Sequence, residues 1–105
     1  MHDKNFIRSL KKHAHHLKPV VWVGQNGITE AVLQEVDHAL QAHQLIKVKM
    51  AGSDKVTRQR ASCRICEATG ACEVTHIGGI LSLYRRNMDL PPIEGATSAV
   101  GHTKP

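Results

Sequence analysis

Two groups of residues in this sequence have types and spacings that could do chemistry. The first lies in the run Lys18-Pro19-Val20-Val21-Trp22-Val23-Gly24-Gln25-Asn26-Gly27-Ile28-Thr29-Glu30, where a G-x-x-G turn stands between a β-branched run and a helix start. Two glycines remove side-chain bulk on both sides of the turn, so backbone N–H groups can come close to an anion. The unpaired N–H groups of a helix N-terminus, together with the helix dipole, favour a phosphate at the same point. Glycine and asparagine also suit any ordinary strand-to-helix turn. Lys18 before the run, and Lys47 and Lys49 further on, add the positive charge that favours the anion reading.

The second group is Cys63, Cys66, Cys72 and His76, spaced C-x2-C-x5-C-x3-H, a pattern compatible with zinc. Its context points the other way. Cys63 and Cys66 fall in a helical stretch without Gly or Pro to fold the chain around a metal, and Cys66 and Cys72 suit a small core position. The expectation is therefore structural thiols and no metal or other cofactor, with a small zinc module as the alternative. His13, His15 and His16 read as a solvated helix face, and His38 and His43 stand apart. The acids Asp3, Glu30, Glu35, Asp37, Asp54, Glu67, Glu73, Asp89 and Glu94 form no recognisable acid–base pair. Ser53, Ser62 and Ser82 lack a nucleophile-elbow setting, and no Lys-Ser/Thr follows the G-x-x-G as a P-loop would require. Binding without catalysis, and no small-molecule substrate, is the expectation.

Charge narrows the partner. The 105 residues carry 14 Lys+Arg and 9 Asp+Glu, a formal net charge of +5. Residues 1–18 are net +4, 19–46 net −3 and 47–64 net +5. If the two basic blocks met in space, they would make one phosphate-facing surface. The acidic block contains Glu30, Glu35 and Asp37 on a second helix, which could instead serve as a protein contact. Phe6, Trp22 and Tyr84 are the whole aromatic complement, which argues against a surface built from stacked rings. No run approaches the ~18–20 apolar residues of a membrane span, and the N-terminus lacks the apolar stretch of a signal peptide. With three cysteines and no export signal, reduced thiols in the cytoplasm are expected.

The elements that must position these groups can be read from periodicity. Phe6, Ile7, Leu10, Ala14 and Leu17 predict an amphipathic helix over 4–17, with Lys4, Arg8, Lys11, Lys12 and His15 on its outer face. Val20 to Val23 predicts a buried strand, and Thr29 caps a helix that continues to about His43. Leu45 to Ala51 alternates, with Ile46, Val48 and Met50 inward and Lys47 and Lys49 outward. Gly52-Ser53-Asp54 opens a third helix to Thr69, with Ala61, Ile65 and Ala68 as its inner stripe. Cys72–Ile77 and Ile80–Tyr84 predict a hairpin across Gly78-Gly79. The predicted class is α/β, a two-layer sandwich in the order α-β-α-β-α-β-β, with the helices on one face of a four-stranded mixed sheet. A domain over 1–86 and a flexible tail over 87–105 are expected.

KPVVWVGQNGITEAVLQEVDHALQAHQLIKVKM resembles the signature of the CRM domain (chloroplast RNA splicing and ribosome maturation), above all its stand-alone bacterial YhbY-type form. TGACEVTHIGGILSLYRR is similar to that family's closing hairpin. The resemblance covers about residues 5–86. It implies a fold similar to the C-terminal domain of translation initiation factor three. It also implies RNA as partner, the bacterial members being linked to precursors of the large ribosomal subunit. The family's loop falls on Gly24, Gln25, Asn26 and Gly27, and its basic positions on Lys18, Lys47, Lys49, Arg85 and Arg86. KH domains clamp a nucleotide backbone with a loop of the same G-x-x-G form. Residue chemistry and resemblance together predict a monomeric RNA-binding module for structured, ribosomal RNA, with Lys11 and Lys12 of the first helix adding to the surface. Arg60 and Arg64 are weaker candidates, because their helix face can point elsewhere.

Overall fold

The structure is a computed structural model that describes residues 4–52 and 54–93. Ser53 and the part of the expected tail from residue 94 onward lie outside the described residues. Three helices and four strands follow one another as α1 (Lys4–His15), β1 (Pro19–Val23), α2 (Glu30–His43), β2 (Leu45–Met50), α3 (Lys55–Thr69), β3 (Cys72–Ile77) and β4 (Ile80–Tyr84). This is the predicted α/β class and element order. None of the described helices is long and apolar enough to cross a membrane.

The sheet order is β1-β2-β4-β3. β1 runs parallel to β2, whereas β4 is antiparallel to both of its neighbours. From β1 to β2, and from β2 past β4 to β3, the chain moves in the same direction across the sheet. Right-handed crossovers then place α2 and α3 on the same face. Val21, Val23, Val36, Leu40, Ile46, Val48, Met50, Ile65, Leu81 and Leu83 fill that interface.

Helix α1 departs from the predicted one-sided arrangement. It precedes the first strand, so no crossover rule assigns its face, and it packs on the opposite side. Leu10 and Ala14 join Leu45, Val74 and Tyr84 in a second cluster, with Phe6, Ile7, Cys72 and Ile93 at its margin. The Phe6 and Tyr84 rings meet edge-on at 5.4 Å between centroids. Burial among these groups pushes the Tyr84 hydroxyl pKa up.

Helix α2 begins as expected, with the Val32 N–H donating to Thr29 Oγ1 at 3.2 Å. Asp54 caps α3 by accepting from the Thr57 N–H at 2.8 Å, a bond that lowers the Asp54 pKa. The inner stripe of α3 is rotated from the predicted one. Ser62 and Ile65 are buried while Ala68 is exposed. The Ser62 hydroxyl lies 2.5 Å from Glu73 Oε1 and donates to it, which satisfies a polar group that hydropathy alone would turn outward.

The chain does not loosen at Asn87 as predicted. Gln44, 3% exposed, joins α2 to β2 with φ +66°. Its Oε1 accepts from Arg86 Nη1 at 2.8 Å and from the Asn87 N–H at 3.0 Å, and its Nε2 donates to the Pro91 carbonyl at 2.9 Å. Asn87 Nδ2 also donates to the Gln41 carbonyl at 2.7 Å. Residues 87–93 are therefore strapped to the domain by polar groups that carry no periodic signal.

Gln44→Ala should cost about 1–3 kcal/mol in urea denaturation, because it leaves buried partners of the side chain unpaired. Gln44→Gly should be roughly 1 kcal/mol more stable than the alanine variant, since glycine accepts positive φ without strain. Equal stability of the two would show that the backbone at residue 44 is unstrained.

Candidate nucleic-acid interface

Strand β1 ends at Val23 and the G-x-x-G turn follows at once. The Gly27 N–H donates to the Gly24 carbonyl at 3.1 Å, closing a four-residue turn whose last residue has φ +74°. Gly24, Gln25, Asn26 and Gly27, with Thr29 and Val32 of the following helix, line a shallow open recess of about 440 Å³. The backbone N–H groups of Gln25 and Asn26 donate to no acceptor among the described residues.

The two glycines are not equivalent. Positive φ explains Gly27 within the protein itself. Gly24 has ordinary φ, and a Cβ placed there would meet nothing within 4 Å. Nothing inside the fold requires glycine at 24, whereas close approach of an external group would. Glu30, in the first turn of α2, adds negative charge near the turn. The donors suited to an anion are therefore the turn's own N–H groups.

The basic candidates divide between the two sides of the sheet. Val21 pairs with Val48 and Val23 with Met50 in the main core, so the alternate pair, Trp22 and Lys49, faces the opposite side, where α1 lies. Lys47, in register with Pro19, shares that side. Lys18 stands at the start of β1, roughly 20 Å of extended strand from Gly24. Lys11 and Lys12 are exposed on α1. Lys47 and Lys49 thus share the face of the sheet on which α1, the helix that carries Lys11 and Lys12, packs.

Arg85 and Arg86 do not join them. Arg85 Nη1 donates to Asp37 Oδ1 at 2.6 Å and to the Thr69 carbonyl at 2.8 Å, while Nη2 reaches the Asp37 carbonyl at 3.2 Å and Gln41 Oε1 at 3.3 Å. This guanidinium ties α2 to the end of α3. Arg86 Nη1 donates to Gln44 Oε1, to the Asn87 carbonyl and to the Leu90 carbonyl at 2.8 Å. Both side chains are thereby occupied within the fold. Arg60 and Arg64 are exposed on α3, across the sheet from Lys47 and Lys49. The second basic block is therefore split, Lys47 and Lys49 sharing the α1 side of the sheet with the first block while Arg60 and Arg64 lie on the other.

Cys63 is exposed, whereas Cys66 and Cys72 are half-buried, and burial pushes both of their thiols up. Among the described residues, no group of three or more His, Cys, Asp or Glu could hold a metal ion. Of the acidic helix residues, Asp37 is paired with Arg85, leaving Glu30 and Glu35 exposed.

One residue of this face was not predicted. Trp22 is 61% exposed and Val20 46%, so the run read as a buried strand is buried on one face only. An all-apolar run of four hides its alternation. The usable signal was the partner strand, whose lysines occupy the same face.

The family model for the CRS1 / YhbY (CRM) domain matches residues 3–85. The chain belongs to the CRM domain family. The CRM relatives include an RNA-binding protein of Haemophilus influenzae, 51% identical over 83 residues, which are 79% of this chain and 81% of the relative. The protein named "Probable RNA-binding protein PA4753" of Pseudomonas aeruginosa is 40% identical over 80 residues, 76% of this chain and 77% of its own. The solution structure of the hypothetical protein SAV1595 from Staphylococcus aureus superposes with a TM-score of 0.73 at 28% identity, covering 83% of this chain and 91% of that one.

In thermal denaturation, Gly24→Ala should leave the stability of this CRM domain within about 0.5 kcal/mol of the parent. Gly27→Ala should lose about 1–2 kcal/mol through its positive φ. A large loss at Gly24 would assign that glycine to the fold rather than to an approaching ligand.

Proposed function

We propose that this chain is an RNA-binding protein that holds RNA by its phosphate backbone and acts without catalysis. The observation that carries this reading is the open turn at Gly24–Gly27. Its backbone donors at Gln25 and Asn26 lack partners among the described residues, and Gly24 has no intramolecular reason to be glycine. A phosphate oxygen accepts from such donors, and Lys49, Lys47 and Lys18 neutralise the phosphates that follow along the sheet. The RNA-binding names of the CRM relatives support the same partner.

We further propose structured ribosomal RNA as the target, bound by a monomer in the cytoplasm during large-subunit assembly. The resemblance to the YhbY-type form supports this finer reading. A backbone clamp also tolerates sequence variation, as shape-selective RNA binding requires.

Affinity for a labelled RNA should fall steeply with salt, and Lys47→Ala with Lys49→Ala should reduce the log–log slope by about 1 for each phosphate no longer neutralised. Gly24→Asp should weaken binding at unchanged melting temperature, and an unaltered affinity would remove the turn from the site. Gly24 is the better probe than Gly27, where strain would confound the result. For the target, RNA crosslinked to the protein in cells should be enriched in large-subunit ribosomal sequence and its precursors. Equal recovery of small-subunit RNA would overturn that assignment.

A further inference from the structure

The open side of β1 offers more than a backbone clamp needs. Trp22 exposes its indole on an edge strand, beside Val20 along the strand and Lys49 across it. Helix α1 covers this side of the sheet through Leu45, Val74 and Tyr84, and Trp22 and Val20 have no place in that cluster. A single exposed apolar side chain is ordinary on a protein surface. Here three features meet: a broad π-face, cations on the neighbouring strand, and the phosphate turn beginning two residues further on.

We propose that Trp22 is a stacking platform for one unpaired base of the RNA whose phosphate is held at Gly24–Gly27. This rests on the RNA-binding reading above and names the part of the RNA that the site takes. Two residues of extended strand separate Trp22 from Gly24, about 7 Å, so the turn and the indole lie within the reach of one nucleotide. A base splayed from a loop or bulge presents a flat face to the ring, and its phosphates meet Lys49 and Lys47. Stacking on one ring is indifferent to base identity because every base has a π-face. The site would therefore select for lack of pairing rather than for sequence.

Charge argues against a second copy of this chain as the occupant. Self-association through this face would bring Lys47 and Lys49 against their own counterparts in a symmetric contact, whereas RNA brings the opposite charge. The aromatic shortage is consistent with one ring acting beside a backbone clamp, in place of the several rings of a base-by-base reader.

Trp22 is the only tryptophan in the chain, so its fluorescence reports on this site alone. The experiment titrates the protein with a short unpaired oligoribonucleotide and with a fully paired RNA duplex, following Trp22 emission and the anisotropy of a labelled RNA in parallel. The expected result is saturable quenching by the unpaired RNA, with the midpoint that anisotropy gives, and little quenching by the duplex. Trp22→Ala should weaken unpaired-RNA binding by roughly 10-fold or more with its salt slope preserved, and Trp22→Phe should restore most of the affinity. Because the side chain is largely exposed, circular dichroism should show both variants folded.

Anisotropy binding with unchanged Trp22 emission, or full affinity in Trp22→Ala, would overturn the platform while leaving the phosphate clamp intact. Failure to bind any RNA would overturn both. A dimer in sedimentation that Trp22→Ala converts to monomer would give the surface to a second copy of the chain and overturn the inference.

Discussion

The arrangement depends on one strand having to satisfy two unlike surfaces. β2 lies inside the sheet, paired with β1 on one side and β4 on the other. Its alternate residues Ile46, Val48 and Met50 are buried under α2 and α3. Leu45, Lys47 and Lys49 are then obliged to face the other side, because successive side chains of a strand point oppositely. A slip of one residue would drive two ammonium groups into the main core, at a desolvation cost that would prevent folding. The register that makes the core is therefore also the register that lines up the lysines with Trp22.

The closure of the sheet restrains the same strand at its ends. At one end, the Met50 N–H donates to the Gly79 carbonyl at 2.7 Å, and a Cβ at Gly79 would sit 2.6 Å from the Met50 carbonyl oxygen. Glycine is needed there to let the β3–β4 turn approach. At the other end, the backbone of Gln44 accepts from the Arg85 N–H at 2.8 Å, while its side chain gathers Arg86, Asn87 and Pro91. Arg85 spends its guanidinium on α2 and α3. Arg85 and Arg86 thereby hold the helices and the strap that fix β2 and β4.

Much of the fold was legible because it rests on local regularities. The alternation of Leu45–Met50, the cap at Thr29, the helix start at Gly52-Ser53-Asp54 and the Gly78-Gly79 turn each determine their own element. Hydrophobic periodicity failed where a polar group found a distant partner. Ser62 is buried because Glu73 accepts from it, and residues 87–93 are held because Gln44 and Gln41 make hydrogen bonds to them across more than forty positions of sequence. The same limit applied to the site. The turn at Gly24–Gly27 could be found as a motif, but whether Arg85 and Arg86 belonged with the lysines depended on where Asp37 and Gln44 lay.

The sequence by itself determined the elements, their order, the glycine turn between β1 and α2, and the membership of the CRM family. These follow from neighbouring residues and from motifs in fixed order. Only the tertiary structure decided which face each charged block occupies. It set α1 across the sheet from α2 and α3, committed Arg85 and Arg86 to internal bonds, and left Trp22 on an open edge. The physical reason is that burial and pairing are properties of contacts between distant parts of the chain. A run such as Val20–Val23 is equally apolar whether one side or both are covered, and only the packed neighbours distinguish the two.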